Sequence, residues 1–285
     1  MRRRLLAVAT LVAAVTAVAG SPGAASAAGP GTAGSGLVVA EERYGPADLQ
    51  VVTVIRPKGV YANRRTAVFI HGGAWTGGSR DTWEAEARDW ASHGWITINM
   101  DYRRAALDGR PGDGPEIAQD VRAVYLKYAP LRSTGEFVFV GDSAGGQLAT
   151  TVGSQFSKRN VAGVVAWSPV ASPKAMAARA DEPGRTEQQR VLGRKSEEFW
   201  GLNYDGWSAH RYIRTGAAPP MYIVGGALEG YIDWDEQGGS LCATRGFRGV
   251  CAAVMSDRHG TSLWRTAEGA RQRISARRWA ERITG

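Results

Sequence analysis

From residue 48 onward, short apolar runs alternate with amphipathic stretches, and this alternation constrains the fold more than any other feature of the chain. "TAVFIHGG", "WITINMDY", "EFVFVGDS", "VAGVVAWSPV", "PMYIVGG" and "GVCAAVMSD" are rich in β-branched or aromatic residues and too short for buried helices. Between them lie helix-like segments. "SRDTWEAEARDWASHG" is stopped by a glycine, and "AGGQLATTVGSQF" follows a strand directly. "PEIAQDVRAVYLKYA" starts at Pro115 and sets Ile117, Val121, Val124, Tyr125 and Tyr128 on one face. "SLWRTAEGARQRISARRWAERI" closes the chain as a helix. Such alternation predicts an α/β fold with a mostly parallel sheet and helices on both faces. "LVVAEERYG" and "LQVVTVIRP", on either side of "PAD", add a hairpin and bring the expected sheet to eight strands. Ligands of such sheets bind at the carboxyl ends of the strands.

One domain accounts for the chain. With 285 residues, 44% of them hydrophobic, a single large core over residues 48–285 is expected. Residues 170–218 interrupt the alternation with a polar segment, which reads as a short lid or cap insertion. Residues 28–47, beginning near "GPGTAGSG", read as a flexible N-terminal stretch and the first strand. Residues 1–27 read as a secretory signal. Three arginines precede an alanine-rich run of about fifteen apolar residues, and Ala25-Ser26-Ala27 offers a cleavage site. A membrane anchor is the competing reading, but the run falls short of the ~20 residues a span needs. The expectation is a secreted protein with no stable membrane anchor after cleavage.

The formal charge of +8 includes Arg2, Arg3 and Arg4, and losing them leaves the rest near +5. Much of the excess falls in the last helix, at Arg265, Arg271, Arg273, Arg277, Arg278 and Arg282. A polyanion patch and a solvated helix face both fit this pattern, and with no nucleic-acid motif beside it the solvated face is expected. Only two cysteines occur, Cys242 and Cys251; in an oxidising compartment they are expected to pair. No His or Cys cluster has metal-ligand spacing, so neither a metal nor an organic cofactor is expected.

"FVFVGDSAGGQLAT" carries the chemistry. A Gly-x-Ser-x-Gly pattern alone is weak, but here a buried strand precedes Ser143 and a helix starts after it. A serine at that junction sits on a sharp turn with the helix N-terminus beside it. It needs a base and a place for an oxyanion. His259 follows the last strand and should reach the same edge; His71, His93 and His210 have other expected places. In "HGGAW", the glycines let backbone N–H groups turn toward a ligand, so Gly73, Ala74 and Ala144 are the expected oxyanion donors. His71 and Gly72 would support that loop. The acid should follow "MYIVGG", where Glu229, Asp233, Asp235 and Glu236 compete. Glu229 lies nearest the strand end, Asp233 is the alternative, and the later acids suit the first turn of a helix. Trp75 and Tyr102 are expected against substrate; Trp200 and Trp207 fit either the site or packing.

Together "HGGAW" (71–75), "DYR" (101–103), "AQDVRAVY" (118–125), "GDSAGG" (141–146) and "HGTSL" (259–263) resemble the α/β-hydrolase superfamily. The chain is most similar to small carboxylesterases of the hormone-sensitive-lipase and feruloyl-esterase-like group. Ala74-Trp75 stands where the hormone-sensitive-lipase pattern has a third glycine, and Glu229 stands where Asp is usual. "HGG-x-W" with "GALE" is also similar to kynurenine formamidases. The long N-terminal cap of hormone-sensitive lipases has no counterpart, so a bulky-lipid preference is not implied. The resemblance implies a serine hydrolase acting on a small-molecule or polymer-linked ester through a Ser-His-Glu triad. A formamidase-type amidase is the runner-up, and a secreted peptidase or a non-catalytic binding relative comes behind it.

Overall fold

Period-two alternation in the central strands divides the core into two layers. The structure, a computed structural model, describes residues 36–59, 65–105, 113–129, 137–156, 161–200 and 204–285. The expected signal segment, residues 1–27, lies outside the described residues. Strands β1 (Leu37–Arg43), β2 (Val51–Pro57), β3 (Thr66–Ile70), β4 (Ile96–Met100), β5 (Phe137–Asp142), β6 (Val161–Trp167), β7 (Met221–Gly226) and β8 (Gly249–Val254) form one sheet. Their spatial order is β1-β2-β4-β3-β5-β6-β7-β8. The β1–β2 and β2–β4 pairs are antiparallel, and every other pair is parallel.

Helices α1 (Glu84–Ser92), α2 (Asp113–Tyr128), α3 (Ser143–Gln155) and α8 (Ala267–Ile283) cover the two faces. All five residues of β3 are buried. Val68 and Ile70 pack in one cluster with Ile117, Val121 and Val124 of α2 and Leu148 of α3. Ala67 and Phe69 point the other way, into a cluster with Trp90 of α1 and Trp279 and Ala280 of α8. The α2 face expected to be apolar is buried at Ile117, Val121, Val124, Tyr125 and Tyr128.

The parallel register brings the strand ends into line. Ile70 lies opposite Gly141, Asp142 opposite Trp167, Trp167 opposite Val224, and Gly226 opposite Val254. The loops leaving β3, β5, β6, β7 and β8 therefore start from neighbouring points on one edge. Between β6 and β7 the chain forms α4 (Pro173–Ala178), α5 (Glu187–Trp200) and α6 (Ala209–Arg214). Trp200 of α5 stacks edge-on against Trp75 at 5.8 Å, which packs this segment onto the loop after β3.

Two details differ from the sequence expectation. The closing helix starts at Ala267, because the Thr266 side chain accepts the Gly269 N–H (2.9 Å) from an extended N-cap. The preceding residues, Gly260–Arg265, make a 3-10 turn instead. In α8, Arg271 pairs with Glu268, Arg273 with Glu86 and Arg277 with Asp89 and Glu281. Much of the basic excess is thus matched by neighbouring acids. Cys242, at the end of α7 (Gly238–Cys242), is disulfide-bonded to Cys251 on the edge strand β8. Among the described residues, no helix is long and apolar enough to cross a membrane.

Candidate active site

Ser143 is the first residue of α3, immediately after β5, and its backbone lies in the left-handed region at φ 52°. A non-glycine residue rarely adopts that conformation, and where it does the surroundings enforce it. Here they are glycines. A Cβ on Gly145 would lie 2.2 Å from the Ile70 carbonyl oxygen, so only glycine lets the start of α3 close against the end of β3. The turn holds the Ser143 side chain at the wall of a cavity of about 490 Å³.

The same wall carries Gly72, Gly73, Ala74 and His259. The loop after β3 is as constrained as the serine turn. Gly73 has φ 118°, with a carbonyl 2.2 Å from where a Cβ would sit, and Ala74 and Trp75 follow at φ 50° and 63°. The Gly73 carbonyl accepts from the N–H groups of Thr76 (3.1 Å) and Gly77 (2.9 Å), closing the turn on itself. Gly72 N–H is already taken by Asp142 Oδ1 at 2.9 Å. Ala144 is fully buried in the first turn of α3, where helical N–H groups lack an intrahelical acceptor.

His259 Nδ1 lies 2.9 Å from Glu229 Oε2. An ionised carboxylate can only accept, so in this pair Nδ1 carries the proton and Nε2 is left with its lone pair. Burial pushes the Glu229 carboxyl above its ordinary range, while the hydrogen bond from His259 pulls it back. Asp233, the alternative acid, accepts the Glu236 N–H at 3.0 Å and caps the turn before α7. Glu236 itself is ion-paired with Arg179 and Arg185.

The other histidines lie elsewhere. His71 is fully buried, stacked on Tyr102 (4.2 Å) with Nδ1 on the Gly72 carbonyl (2.7 Å); burial lowers its pKa and keeps it neutral. His93 ends α1, with Nδ1 on the Asp89 carbonyl. His210 bridges Ser208 (2.7 Å) and Ser240 (2.9 Å), its pKa lowered to about 4 by burial.

Trp75 and Tyr102 do not meet the expectation of a substrate contact. Both are fully buried and neither lines the cavity. Trp75 packs on Phe199 and Trp200, with its indole N–H 3.3 Å from Gln147, and Tyr102 donates to the His71 carbonyl at 2.8 Å. The positive φ at Trp75 turns the ring inward, away from the cavity. Trp200 is buried in the same packing and Trp207 packs against it at a tilt, with ring centroids 5.2 Å apart.

Three residues at the site had not been singled out in the sequence. Ser168, just past β6 at φ 42°, donates to Glu229 Oε2 (3.0 Å) and accepts the Gly260 N–H (3.1 Å). Asp142 is buried beside Ser143, and its Oδ1 accepts from Gly72 N–H and from the Trp83 indole (3.1 Å). Burial raises the Asp142 pKa to about 6, against the lowering effects of His259 and these hydrogen bonds. Tyr231 stacks on the His259 ring, with centroids 5.0 Å apart. The sequence signal for Ser168 and Asp142 was their position directly after or at the end of a buried strand.

The family profile of the alpha/beta hydrolase fold matches residues 67–246. No curated protein matches this sequence. Among solved structures, the chain is similar to an inhibited esterase B from Lactobacillus rhamnosis, with a TM-score of 0.70 at 19% identity over 87% of this chain and 88% of that one. A bacterial heroin esterase gives 0.69 at 17% identity over 88% and 85%. Propionate-bound esterase 2 from Thermogutta terrifontis gives 0.66 at 19% over 87% and 94%. At these identities the likeness is one of fold.

Proposed function

Because the chain belongs to the α/β-hydrolase fold family, we propose that it is a serine carboxylesterase acting on short- or medium-acyl esters. The observation that carries this reading is the common cavity wall. It holds Ser143 on a strained strand-to-helix turn and a His259 whose Nδ1 is bonded to Glu229. The fold neighbours named above are esterases, which supports the substrate class.

In this reading His259 Nε2 takes the Ser143 proton as Oγ attacks the acyl carbonyl. The N–H groups of Gly73, Ala74 and Ala144 receive the oxyanion, each such donor being worth roughly 3–4 kcal/mol. His259 then gives its proton to the leaving alcohol. Water enters, loses a proton to His259 and releases the acid, restoring Ser143. No step draws on a metal or organic cofactor. The cavity, at about 490 Å³, is in the size range of small-molecule sites. Secretion belongs to the same proposal. It rests on the N-terminal signal pattern and on a Cys242–Cys251 bridge suited to an oxidising compartment.

The test is a panel of p-nitrophenyl esters of increasing acyl length, with an N-formyl anilide beside them. Wild type should turn over the shorter esters, and Ser143→Ala should lose that turnover. Anilide turnover exceeding that of every ester would favour the formamidase reading. Secretion is checked by N-terminal sequencing of protein from the culture medium, expected to begin near Ala28.

A further inference from the structure

Among the described residues most large apolar side chains are buried, but Tyr231 is not. It is 48% exposed, lines the cavity, and lays its ring over the His259 imidazole at 5.0 Å with 27° between the planes. Val191 of α5, 42% exposed, lines the same cavity. Partly exposed apolar groups at the mouth of a cavity mark a surface that gains by being covered. The loop that carries Tyr231 is also tied down. The preceding Gly230 carbonyl accepts the Thr186 hydroxyl, which ties this loop to the residues just before α5. An aromatic ring held this way offers a rigid stacking surface at little entropic cost.

The chemistry of the reaction says which half of a substrate meets that surface. His259 must donate to the oxygen of the departing alcohol, so that oxygen comes within hydrogen-bond reach of the imidazole. The group attached to it then lies in the cavity beside His259, and Tyr231 forms part of the same cavity wall. The acyl chain instead extends from the carbon bonded to Ser143 Oγ. Glu187, a carboxylate that α5 adds to the cavity wall, disfavours an anionic occupant.

Resting on the esterase reading above, we infer that Tyr231 is a leaving-group platform and that the preferred substrates are esters of neutral aromatic alcohols. Tyr231 is in this sense a specificity-determining residue of the site.

The experiment compares phenyl acetate with ethyl acetate, which share one acyl-enzyme and differ only in the alcohol. The readout is the ratio of their kcat/KM values in wild type, Tyr231→Ala and Tyr231→Phe. The intrinsic difference between phenol and ethanol as leaving groups cancels between variants. Tyr231→Ala should lower the phenyl-to-ethyl ratio by about three- to tenfold, the range one aromatic pair supports, and Tyr231→Phe should hold it. An unchanged ratio in Tyr231→Ala overturns the inference and leaves the ring as a cover or support for His259. Turnover of both esters surviving Ser143→Ala overturns the serine mechanism, and this inference with it; an unchanged ratio alone leaves that mechanism standing.

Discussion

Ser168 and Glu229, 61 positions apart in sequence, meet through a 3.0 Å hydrogen bond from the serine hydroxyl to the carboxylate oxygen that also faces His259. The same hydroxyl accepts the N–H of Gly260, the residue after His259. One side chain thus fixes the acid and the histidine loop relative to each other. Its backbone, at φ 42°, bears strain to do so. Ser168→Ala should lower kcat about ten- to a hundredfold with KM little changed, since a hydrogen bond to a charged group is worth about 1.5–3 kcal/mol. Ser168→Gly removes the hydroxyl but relieves the backbone. It should lose as much kcat while unfolding at a higher temperature than Ser168→Ala. If Ser168→Gly keeps wild-type kcat, the hydroxyl is not the positioning group.

Glu229 and Asp233 lie close in sequence but differ in their partners, and mutation should separate them. Glu229→Gln removes the charge that orients and stabilises His259 and should cost kcat about a thousandfold or more. Asp233→Asn weakens a turn cap on the Glu236 N–H. Its expected effect is a stability loss of at most ~1 kcal/mol with kcat nearly intact. Steady-state kinetics with a p-nitrophenyl ester, alongside thermal melts, decide it. The assignment of the acid fails if Asp233→Asn has the larger effect on kcat.

The sheet was legible because its strands are short, apolar and bounded by helices, so local pattern and burial agree. β3 and β5 are the clearest cases: "TAVFI" is buried throughout, and "FVFVGD" runs straight into α3. Residue chemistry and chain order could also nominate Ser143, His259 and Glu229, since each follows a predicted strand. Trp75 and Tyr102 could not be placed that way. Both follow central strands, yet Trp75 turns into the core through a positive φ that an L-residue sequence does not announce. Tyr102 is drawn inward by stacking on His71. Ser168, Asp142 and Tyr231 act through contacts across the sheet edge. Such contacts depend on register, which no local pattern encodes.

The Cys242–Cys251 bridge ties α7 to β8, the strand at the edge of the sheet, through two residues nine positions apart in sequence. Closing a loop of this size removes about 2–3 kcal/mol of freedom from the unfolded chain. Replacing both cysteines by alanine should therefore lower the melting temperature by about 5–10 °C for a domain of this size. Esterase kinetics at room temperature should change little, because neither cysteine lines the cavity. Intact-mass measurement with and without reductant checks the bridge itself, and two free thiols in the untreated protein would refute it.

Asp142 makes a pH prediction with a definite sign. Its carboxyl is buried between Gly72 and the Trp83 indole, and burial raises its pKa to about 6. The unfolded chain, with an ordinary aspartate near 3.9, gives up that proton first as pH rises. The fold therefore holds the proton more tightly than the unfolded chain. Asp142 contributes most to stability below about pH 4, and loses that contribution as pH rises through about 6. Asp142→Asn cannot ionise and removes this dependence. The melting temperature of Asp142→Asn minus that of wild type should increase from pH 4 to pH 6 and then level off. Melts taken across pH 4 to 8 measure that difference directly. A difference that stays constant, or that falls as pH rises, would show that the carboxylate is ionised in the fold at the pH of an exposed aspartate.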